Sequence, residues 1–245
     1  MYYSDEFSSM YDDWMVSDSI GMKKTFVAKE LMKYVKKKYP DTGNEEISKE
    51  YDCFYDKALA IHQKLNMMLY AEYNLRKVKA DFEATQNMEC PALYGLGKTQ
   101  LLFYLESVII FARCALDASA TIFSDLIFNK REDSFNNFAK RIIKSEEASH
   151  EELKKFIIEQ GEDELSAFRL LCGVTKGRAL RDIIIHQANI RLEYYEYKEN
   201  SDKEKLFIEI KGIEPVDFEW FVDYFSEDVI YLIEHIICHL GKCVT

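Results

Sequence analysis

The sequence predicts a mainly α-helical protein, an up-and-down helical bundle with two long central helices, several short helices and one small β-hairpin. Two observations carry this prediction. The 245 residues include only 3 prolines and 9 glycines, so long segments run without a helix breaker. Apolar residues recur at helical spacing along these segments, and a hydrophobic content of 48% is enough to bury a core in a chain of this length.

The amino-terminal part divides into an acidic tail and a basic helix. The charged side chains of residues 1–20 are all acidic, and we expect this segment to form a loose tail. A helix is predicted from Met22 to Tyr39, because apolar residues share one face and Pro40 ends the segment. Seven lysines against one glutamate make this helix basic. We interpret it as a solvated helix beside the tail, with a role facing phosphates or a membrane surface as the alternative.

Two long helices are predicted next. Residues 47–86 contain neither proline nor glycine and repeat apolar residues at helical spacing, which indicates one very long helix or two in near continuation. A loop is predicted over residues 90–97, and a second long helix from Lys98 to Asn129. This second helix is apolar on nearly every side, as expected at the centre of a bundle.

Four shorter helices follow in the prediction. Polar or glycine-containing breaks separate segments at 134–144, 149–160 and 164–172. The next predicted helix covers residues 175–187. Its three consecutive isoleucines, Ile183–Ile185, could instead begin a strand, because β-branched side chains favour sheets.

The carboxyl-terminal part is predicted to be a hairpin and a closing helix. Residues 190–197 and 205–210 are rich in aromatic and β-branched side chains and flank a polar linker, which indicates a β-hairpin at about 190–210. Helical periodicity returns over residues 216–240, and Gly241 is predicted to end that helix.

Charge and cysteine content narrow the classes of function. The net charge of −11 argues against indiscriminate affinity for nucleic acid, because phosphate binding depends on clustered Lys and Arg. The amino terminus lacks the basic and apolar regions of a secretory signal, so we expect a cytoplasmic protein whose six cysteines are free thiols. Charged residues interrupt the most apolar stretch, 101–128, so no membrane span is predicted.

Two patterns look like ligand sites but have simpler interpretations. Residues 92–99 meet the loosest form of the phosphate-binding P-loop, yet that loop requires a preceding strand and a long helix precedes it here. In the last helix, His235 and His239 are four residues apart and could hold one ion. Tetrahedral sites normally gather ligands from two separated pairs, so we predict no metal and no cofactor. The full cluster is His235, Cys238, His239 and Cys243.

The strongest candidate site is the sequence Arg-Asp-Ile-Ile-Ile-His, residues 181–186. Arginine supplies a bidentate fork for phosphate, and histidine titrates near neutral pH. On an ideal helix, residues five apart are about 140° apart around the axis and ~7.5 Å along it. The arginine must therefore lean towards the histidine, or a second subunit must complete the site. Arg178, one turn earlier, could add phosphate attraction.

A polar stripe on the second long helix could support this site. Glu106, Arg113 and Asp117 fall within about 40° of one another on a helix that is otherwise apolar. Buried charges need partners, and Arg113 with Asp117 at a spacing of four supplies one pair. One interpretation is an internal ion pair that fixes the register of the bundle. The other is that the stripe faces a polar cleft beside Arg181 and His186.

The order of these features resembles the HEPN superfamily, whose members are compact α-helical bundles marked by an Arg, a polar residue, a short spacer and a His. The resemblance rests on the long helix with Glu106 to Asp117, the short helices, Leu180 to His186, the hairpin and the closing helix. It implies a single domain over residues 21–245, in which 21–90 are helical additions and 98–241 form the HEPN-like core.

The resemblance implies two kinds of function. Many HEPN proteins are metal-independent endoribonucleases that act as dimers with both motifs in a shared cleft, and others are binding or regulatory domains without known activity. In the first case the 2′-hydroxyl of RNA attacks, His186 moves protons, Arg181 stabilises the phosphorane and Asp182 orients either residue. The expected partners are a second copy of the chain, RNA or a nucleotide, and a cognate inhibitor protein.

Overall fold

The protein's structure, a computed structural model, describes residues 19–40, 43–85, 91–163, 166–172, 190–196, 204–209 and 214–243. Helices account for most of these residues. The α-helices are α1 (Ser19–Lys38), α2 (Glu45–Thr85), α3 (Pro91–Phe128), α4 (Phe135–Lys144), α5 (Glu151–Glu162), α6 (Ala167–Cys172) and α7 (Phe218–Cys243). A 3₁₀ turn at Ala148–His150 precedes α5, and the strands are β1 (Arg191–Glu196), β2 (Glu204–Glu209) and β3 (Val216–Asp217). The mainly α prediction with a small hairpin is confirmed.

The two long helices form an antiparallel hairpin about 60 Å long. Of the two alternatives for the segment after residue 45, the structure has one continuous helix of 41 residues, α2. α3 begins at Pro91, so the loop predicted over 90–97 is wrong for residues 91–97. Proline is favoured in the first helical turn, where its missing N–H has no helical acceptor to lose. Because this segment is helical, it does not form a phosphate-binding loop.

Gly97 explains how closely the two long helices approach. A Cβ atom at this position would lie 2.9 Å from Cδ2 of Phe82, whose ring is buried. At the other end of the contact, the Lys64 ammonium lies 5.4 Å from the centre of the Phe111 ring. These two contacts fix the antiparallel pairing of α2 and α3. Gly97 therefore serves packing between helices, not a turn.

A continuous apolar core joins the helices of the described residues. α1 contributes Leu31 and Val35, and α7 contributes residues such as Phe225 and Ile233, all fully buried or nearly so. Because α1 and α2 bury their apolar faces against α3 and α7, the amino-terminal helices share the core of the carboxyl-terminal ones. None of the helices described is long and apolar enough to cross a membrane.

The carboxyl end of the basic helix α1 is held by Asp125 of α3. The Lys38 ammonium and the Tyr39 hydroxyl each donate to Oδ2 of Asp125 at 2.8 Å, and Asp125 is 6% exposed. Burial, together with the hydrogen bond to Asp125, raises the pKa of Tyr39 to about 12. Farther up the helix, Lys33 pairs with Glu30. At least two of the seven lysines are therefore engaged inside the chain.

The predicted short helices are present with shifted boundaries. α4 begins after Ser134, whose hydroxyl accepts from the backbone N–H of Asn136 and caps the helix. The predicted helix at 149–160 is a 3₁₀ turn followed by α5. α6 begins at Ala167, later than the predicted residue 164. No disulfide joins any two of the cysteines in the described residues.

The hairpin is confirmed and a third strand extends it. β1 pairs with β2 in antiparallel register, from Arg191 opposite Glu209 to Glu196 opposite Glu204. β3 pairs with β2 on its other side, giving the order β1-β2-β3. The prediction placed residues 216–217 in the closing helix, which is wrong. Asp217 accepts from two backbone N–H groups of the first turn and so lies before the helix as its cap.

Gly241 does not end the closing helix, because α7 continues to Cys243. A Cβ atom at Gly241 would lie 3.3 Å from the hydroxyl oxygen of Tyr34 on α1. The glycine therefore allows α1 and α7 to approach, and the prediction mistook a packing glycine for a terminator.

We expect Gly97→Ala to be less stable than Gly95→Ala by about 1–3 kcal/mol, because the new methyl group at 97 overpacks the contact with Phe82. Gly95 is the matched control, since a Cβ atom there meets nothing within 4 Å. Alanine at position 95 should stabilise the helix by about 0.5–1 kcal/mol. Urea unfolding of both variants measures the difference, and equal stabilities would contradict the packing role of Gly97.

Candidate functional site

The residues of the candidate motif lie outside the described residues. Arg178, Arg181, Asp182 and His186 fall in the segment between Cys172 and Ile190, as do both the predicted helix 175–187 and its strand alternative. The described chain reaches this segment at Cys172, the last residue of α6. The side chains that hold α6 in place are next to this segment in the chain, and the structure describes them.

Arg113 of α3 forms the ion pair that the sequence predicted. Its Nε donates to Oδ2 of Asp117 at 2.9 Å, and Arg113 is 6% exposed. The other carboxylate oxygen of Asp117 accepts from the backbone N–H of Phe135 at 2.8 Å. Asp117 thus neutralises the buried guanidinium and also holds the first turn of α4 against α3.

The guanidinium of Arg113 reaches two further elements. Its Nη1 lies 2.9 Å from the side-chain oxygen of Asn136, 2.9 Å from the carbonyl oxygen of Leu171 and 3.1 Å from the sulfur of Cys172. Nη2 donates to the hydroxyl of Ser134 at 3.3 Å. Asn136 in turn donates to the carbonyl oxygen of Cys172 at 2.9 Å. We call this set of contacts the Arg113 network. It joins α3, the start of α4 and the end of α6.

α6 is held at its other end by a carboxylate from α7. The backbone N–H of Ala167, the first residue of α6, donates to Oδ2 of Asp228 at 2.6 Å. Burial raises the pKa of Asp228, and the hydrogen bond from Ala167 opposes this rise. A helix of six residues is too short to be stable alone. Its order therefore depends on the rest of the chain, through its buried apolar side chains and through a carboxylate at its amino end and a guanidinium at its carboxyl end, as the helix dipole favours.

Glu106, the third member of the predicted stripe, is separate from this network. Its side chain is half-buried, and among the described residues no hydrogen bond or ion pair involves it. Burial raises the pKa of Glu106. The stripe therefore divides into an internal ion pair, Arg113 with Asp117, and a desolvated carboxyl group two turns away on the same helix.

The histidine and cysteine cluster of α7 is built from packing contacts. Nδ1 of His239 bonds the carbonyl oxygen of His235 at 2.8 Å, and its Nε2 lies 3.5 Å from a carboxylate oxygen of Glu152. The His235 ring stacks on Phe156 at 3.9 Å, and burial, with the nearby His239, lowers the pKa of His235. Within the described ranges, no group of three or more His, Cys, Asp or Glu side chains is arranged to hold an ion.

Of the two cysteines in this cluster, Cys243 is buried. Its thiol donates to the carbonyl oxygen of Ser149 at 3.4 Å, and burial raises the pKa of Cys243. Cys238 is exposed. The four residues therefore face different partners, and the cluster joins α7 to α5 and to the preceding 3₁₀ turn.

The basic helix meets the bundle away from the Arg113 network. Lys38 binds Asp125, which lies roughly three turns, about 18 Å, beyond Arg113 on α3. This places the last turn of α1 near the carboxyl end of α3.

Sequence reasoning identified Arg113 and Asp117 but missed their partners. Asn136, Cys172 and Asp228 join the site through contacts between residues far apart in the chain, which no spacing rule reveals. Ser134 had a usable signal, because a serine directly before an apolar helical run is a typical helix cap.

Comparison of the chain with protein-family models, with curated proteins and with solved structures finds no significant match. The function must therefore be argued from the residues themselves.

Replacing Arg113 with leucine should lower the free energy of unfolding by about 3–5 kcal/mol, because Asp117 would remain partly buried without its counter-charge. The matched control is Lys155→Leu, which breaks an exposed pair with Glu159 at the same spacing of four residues. That change should cost no more than about 0.5 kcal/mol. Chemical denaturation of both variants decides the matter. Equal losses would mean that the Arg113 network contributes no more than a surface pair.

The raised pKa of Glu106 predicts a pH dependence. A carboxyl group whose pKa is raised by folding stabilises the folded state below its unfolded pKa and loses that contribution as the pH rises through the folded pKa. Glu106→Gln removes this loss, so the variant should gain stability over the wild type between about pH 4 and about pH 7. Urea unfolding at both pH values measures the gain. The control Glu46→Gln changes an exposed side chain and should follow the wild type. A constant difference between Glu106→Gln and wild type would contradict the desolvation of Glu106.

Proposed function

We propose that this chain is a HEPN-like endoribonuclease that cleaves single-stranded RNA without a metal ion, at an Arg181/His186 site shared between two copies. The observation that supports the proposal best is the Arg113 network. It holds the end of α6 at Cys172, nine residues before Arg181, because Nη1 of the buried Arg113 contacts the carbonyl oxygen of Leu171 and the sulfur of Cys172. A segment that carries catalytic residues needs such a rigid starting point, because small displacements of reacting groups cost large factors in rate.

The residue types match the chemistry of RNA cleavage. The 2′-hydroxyl of RNA attacks the adjacent phosphorus, and the 5′-oxygen of the next nucleotide leaves. The side chain of histidine in general titrates near neutral pH, so His186 takes up or delivers the protons, a task typically worth ~10²- to 10⁴-fold in rate. Arg181 binds the two non-bridging oxygens with its planar fork as negative charge develops. Asp182 orients one of these two side chains.

RNA binding must rely on a local group of cations, because the chain as a whole is acidic. Arg178 and Arg181 supply two positive charges on one segment. α1 carries a separate set of exposed lysines, Lys29, Lys36 and Lys37, and its last turn meets α3 about 18 Å from Arg113, where Lys38 is occupied by Asp125. Few phosphate contacts predict weak affinity and a shallow dependence on salt. The proposed enzyme therefore relies on chemistry at the motif more than on tight capture of RNA.

A second function is a HEPN-like binding or regulatory module without catalytic activity. It is favoured by the outer face of the α2–α3 hairpin, which exposes large aromatic side chains such as Phe103, 64% exposed. Exposed apolar surface of this kind is typical of protein interaction sites. In this case the same fold would bind a nucleotide, RNA or a cognate inhibitor protein and not turn over.

Purified protein should cleave a single-stranded RNA of mixed sequence in the presence of a chelator, and both His186→Ala and Arg181→Ala should lower the rate at least ~100-fold. Denaturing gel analysis of end-labelled RNA measures cleavage, and a 2′,3′-cyclic phosphate on the 5′ fragment reports attack by the 2′-hydroxyl.

Two matched controls accompany this test. Arg191→Ala removes an exposed arginine from β1, and His235→Gln removes a histidine that packs on α5, so both should keep full activity. Intact RNA at high protein concentration, or equal loss in motif and control variants, would reject the ribonuclease. Binding of RNA without cleavage would support the regulatory module instead.

A further inference from the structure

A cavity lies at the corner where α1 turns back into α2. Its volume is about 630 Å³, within the ~300–1,000 Å³ of pockets that hold small molecules in proteins. Each helix lines the cavity with side chains three or four residues apart, which share one face of a helix. Among the lining residues are Lys36 and Tyr39 at the end of α1 and Ile47, Ser48, Tyr51 and Asp52 of α2. None of these residues belongs to the Arg113 network, so the pocket is a separate feature of the fold.

Contacts with the core hold the walls of this pocket. The Tyr39 hydroxyl donates to the buried Asp125 at 2.8 Å, and the Tyr39 ring stacks on the buried Phe54 with 5.3 Å between the ring centres. Tyr51 is half-buried and packs against the same core from the α2 side. Two tyrosine side chains therefore keep their places before a ligand arrives, and a preformed pocket loses less free energy on binding.

Two opposite charges line the pocket without pairing. Lys36 and Asp52 are both exposed, and in the part of the chain that the structure describes neither side chain forms an ion pair or a hydrogen bond. By contrast, Lys38 on the same helix pairs with Asp125. The ammonium of Lys36 and the carboxylate of Asp52 are therefore more than 4.0 Å apart, and each keeps its charge available to a ligand.

The composition of the lining decides which class of ligand fits. Its described residues carry one positive and one negative charge, which match the two charges of a zwitterion. A nucleotide fits poorly, because its phosphates would bind a single ammonium and be repelled by the Asp52 carboxylate. A wholly apolar ligand also fits poorly, because it would displace water from Lys36 and Asp52 without replacing the lost hydrogen bonds.

We propose that this pocket binds a zwitterionic amino acid or dipeptide with an apolar side chain. Lys36 binds the carboxylate of the ligand and Asp52 binds its ammonium, so charge-assisted hydrogen bonds at both ends set its orientation. The apolar side chain of the ligand lies against Ile47 and the two tyrosine rings. The hydroxyls of Ser48 and Tyr51 form no hydrogen bond within the described residues, so they can bond to a peptide group.

The complex should be weak and reversible. We expect a dissociation constant on the order of 0.01–1 mM, because the charged groups stay in contact with water and the ligand has few atoms. A ligand of this class would be sensed at metabolic concentrations and not held permanently. RNA cleavage is not a readout of this binding, so either proposal can fail without the other.

Titration calorimetry of the full chain with the dipeptide leucyl-phenylalanine, at about 0.15 M salt, tests the proposal. N-acetylation of the dipeptide removes its ammonium and amidation removes its carboxylate, and each change should weaken binding to the wild type at least ~10-fold. Free phenylalanine is titrated in parallel. Binding of either compound supports the proposal, and the comparison shows which size of ligand the pocket takes.

Lys36→Met and Asp52→Asn test the assignment of the two charges. Each should weaken binding of the dipeptide at least ~10-fold. Lys36→Met should also bind the dipeptide and its amide equally well, and Asp52→Asn should bind the dipeptide and its N-acetyl derivative equally well, because the partner of the altered group is gone. The matched controls Lys37→Met and Asp56→Asn remove exposed charges of the same sign from the same helices outside the pocket, and should keep wild-type affinity.

All four positions are exposed, so the variants should keep the thermal unfolding midpoint of the wild type. The proposal is overturned if neither the dipeptide nor phenylalanine binds at up to ~5 mM. It is equally overturned if Lys36→Met and Asp52→Asn both keep wild-type affinity, or if the control variants lose as much. Adenosine or guanosine monophosphate that binds more tightly than the dipeptide and is lost in Lys36→Met would also overturn it, since the pocket would then be an anion site.

Discussion

The arrangement of this bundle depends on one buried positive charge. A guanidinium removed from water must be neutralised and its N–H groups must find acceptors, because an unpaired charge in a protein interior costs several kcal/mol. Arg113 meets this requirement with Asp117 on its own helix and with acceptors on α4 and α6. The fork of an arginine is planar and its donor directions are fixed, so these acceptors cannot move independently. Because the buried guanidinium must keep all these contacts, it fixes the positions of α3, α4 and α6 relative to one another.

Some positive charges of α1 and α3 are paired inside the bundle, whereas some large apolar side chains are exposed. Lys38 of α1 pairs with the buried Asp125 of α3, and Arg113 pairs with Asp117 on the same helix. The outer side of the α2–α3 hairpin exposes aromatic groups such as Phe103. Because Lys38 is paired inside the bundle, the lysine-rich composition of α1 overstates the positive charge that the helix offers to a ligand.

The elements that were predictable from the sequence are those determined by local periodicity. The long helices α2 and α3, the order of the short helices and the β1–β2 hairpin follow from spacing and from the rarity of proline and glycine. The errors came from residues with two common uses. Pro91 and Gly97 are typical of a loop, but Pro91 begins α3 and Gly97 packs against Phe82. Gly241 is typical of a helix terminus, but it permits contact with Tyr34. Asp217 and β3 depend on pairing with β2, which a local pattern does not contain.

For the candidate site, the charges of the stripe were predictable from the sequence, but their partners were not. Arg113 and Asp117 are four residues apart, so their pairing is a property of one helix. The contact of Arg113 with Leu171 spans 58 residues and that of Ala167 with Asp228 spans 61, and both exist only because the helices pack. Whether Arg181 and His186 meet in a cleft is likewise a question of tertiary placement, and it stays a prediction.

The double hold on α6 has a consequence for the order of folding. α2 and α3 are adjacent in sequence and can pair early, because closing the short connection between them costs little entropy. α6 cannot gain stability in this way, since its two charged partners belong to helices on opposite sides of it in the chain. It can persist only after α3 and α7 have docked. We therefore expect α6 to acquire its structure in the last steps of folding.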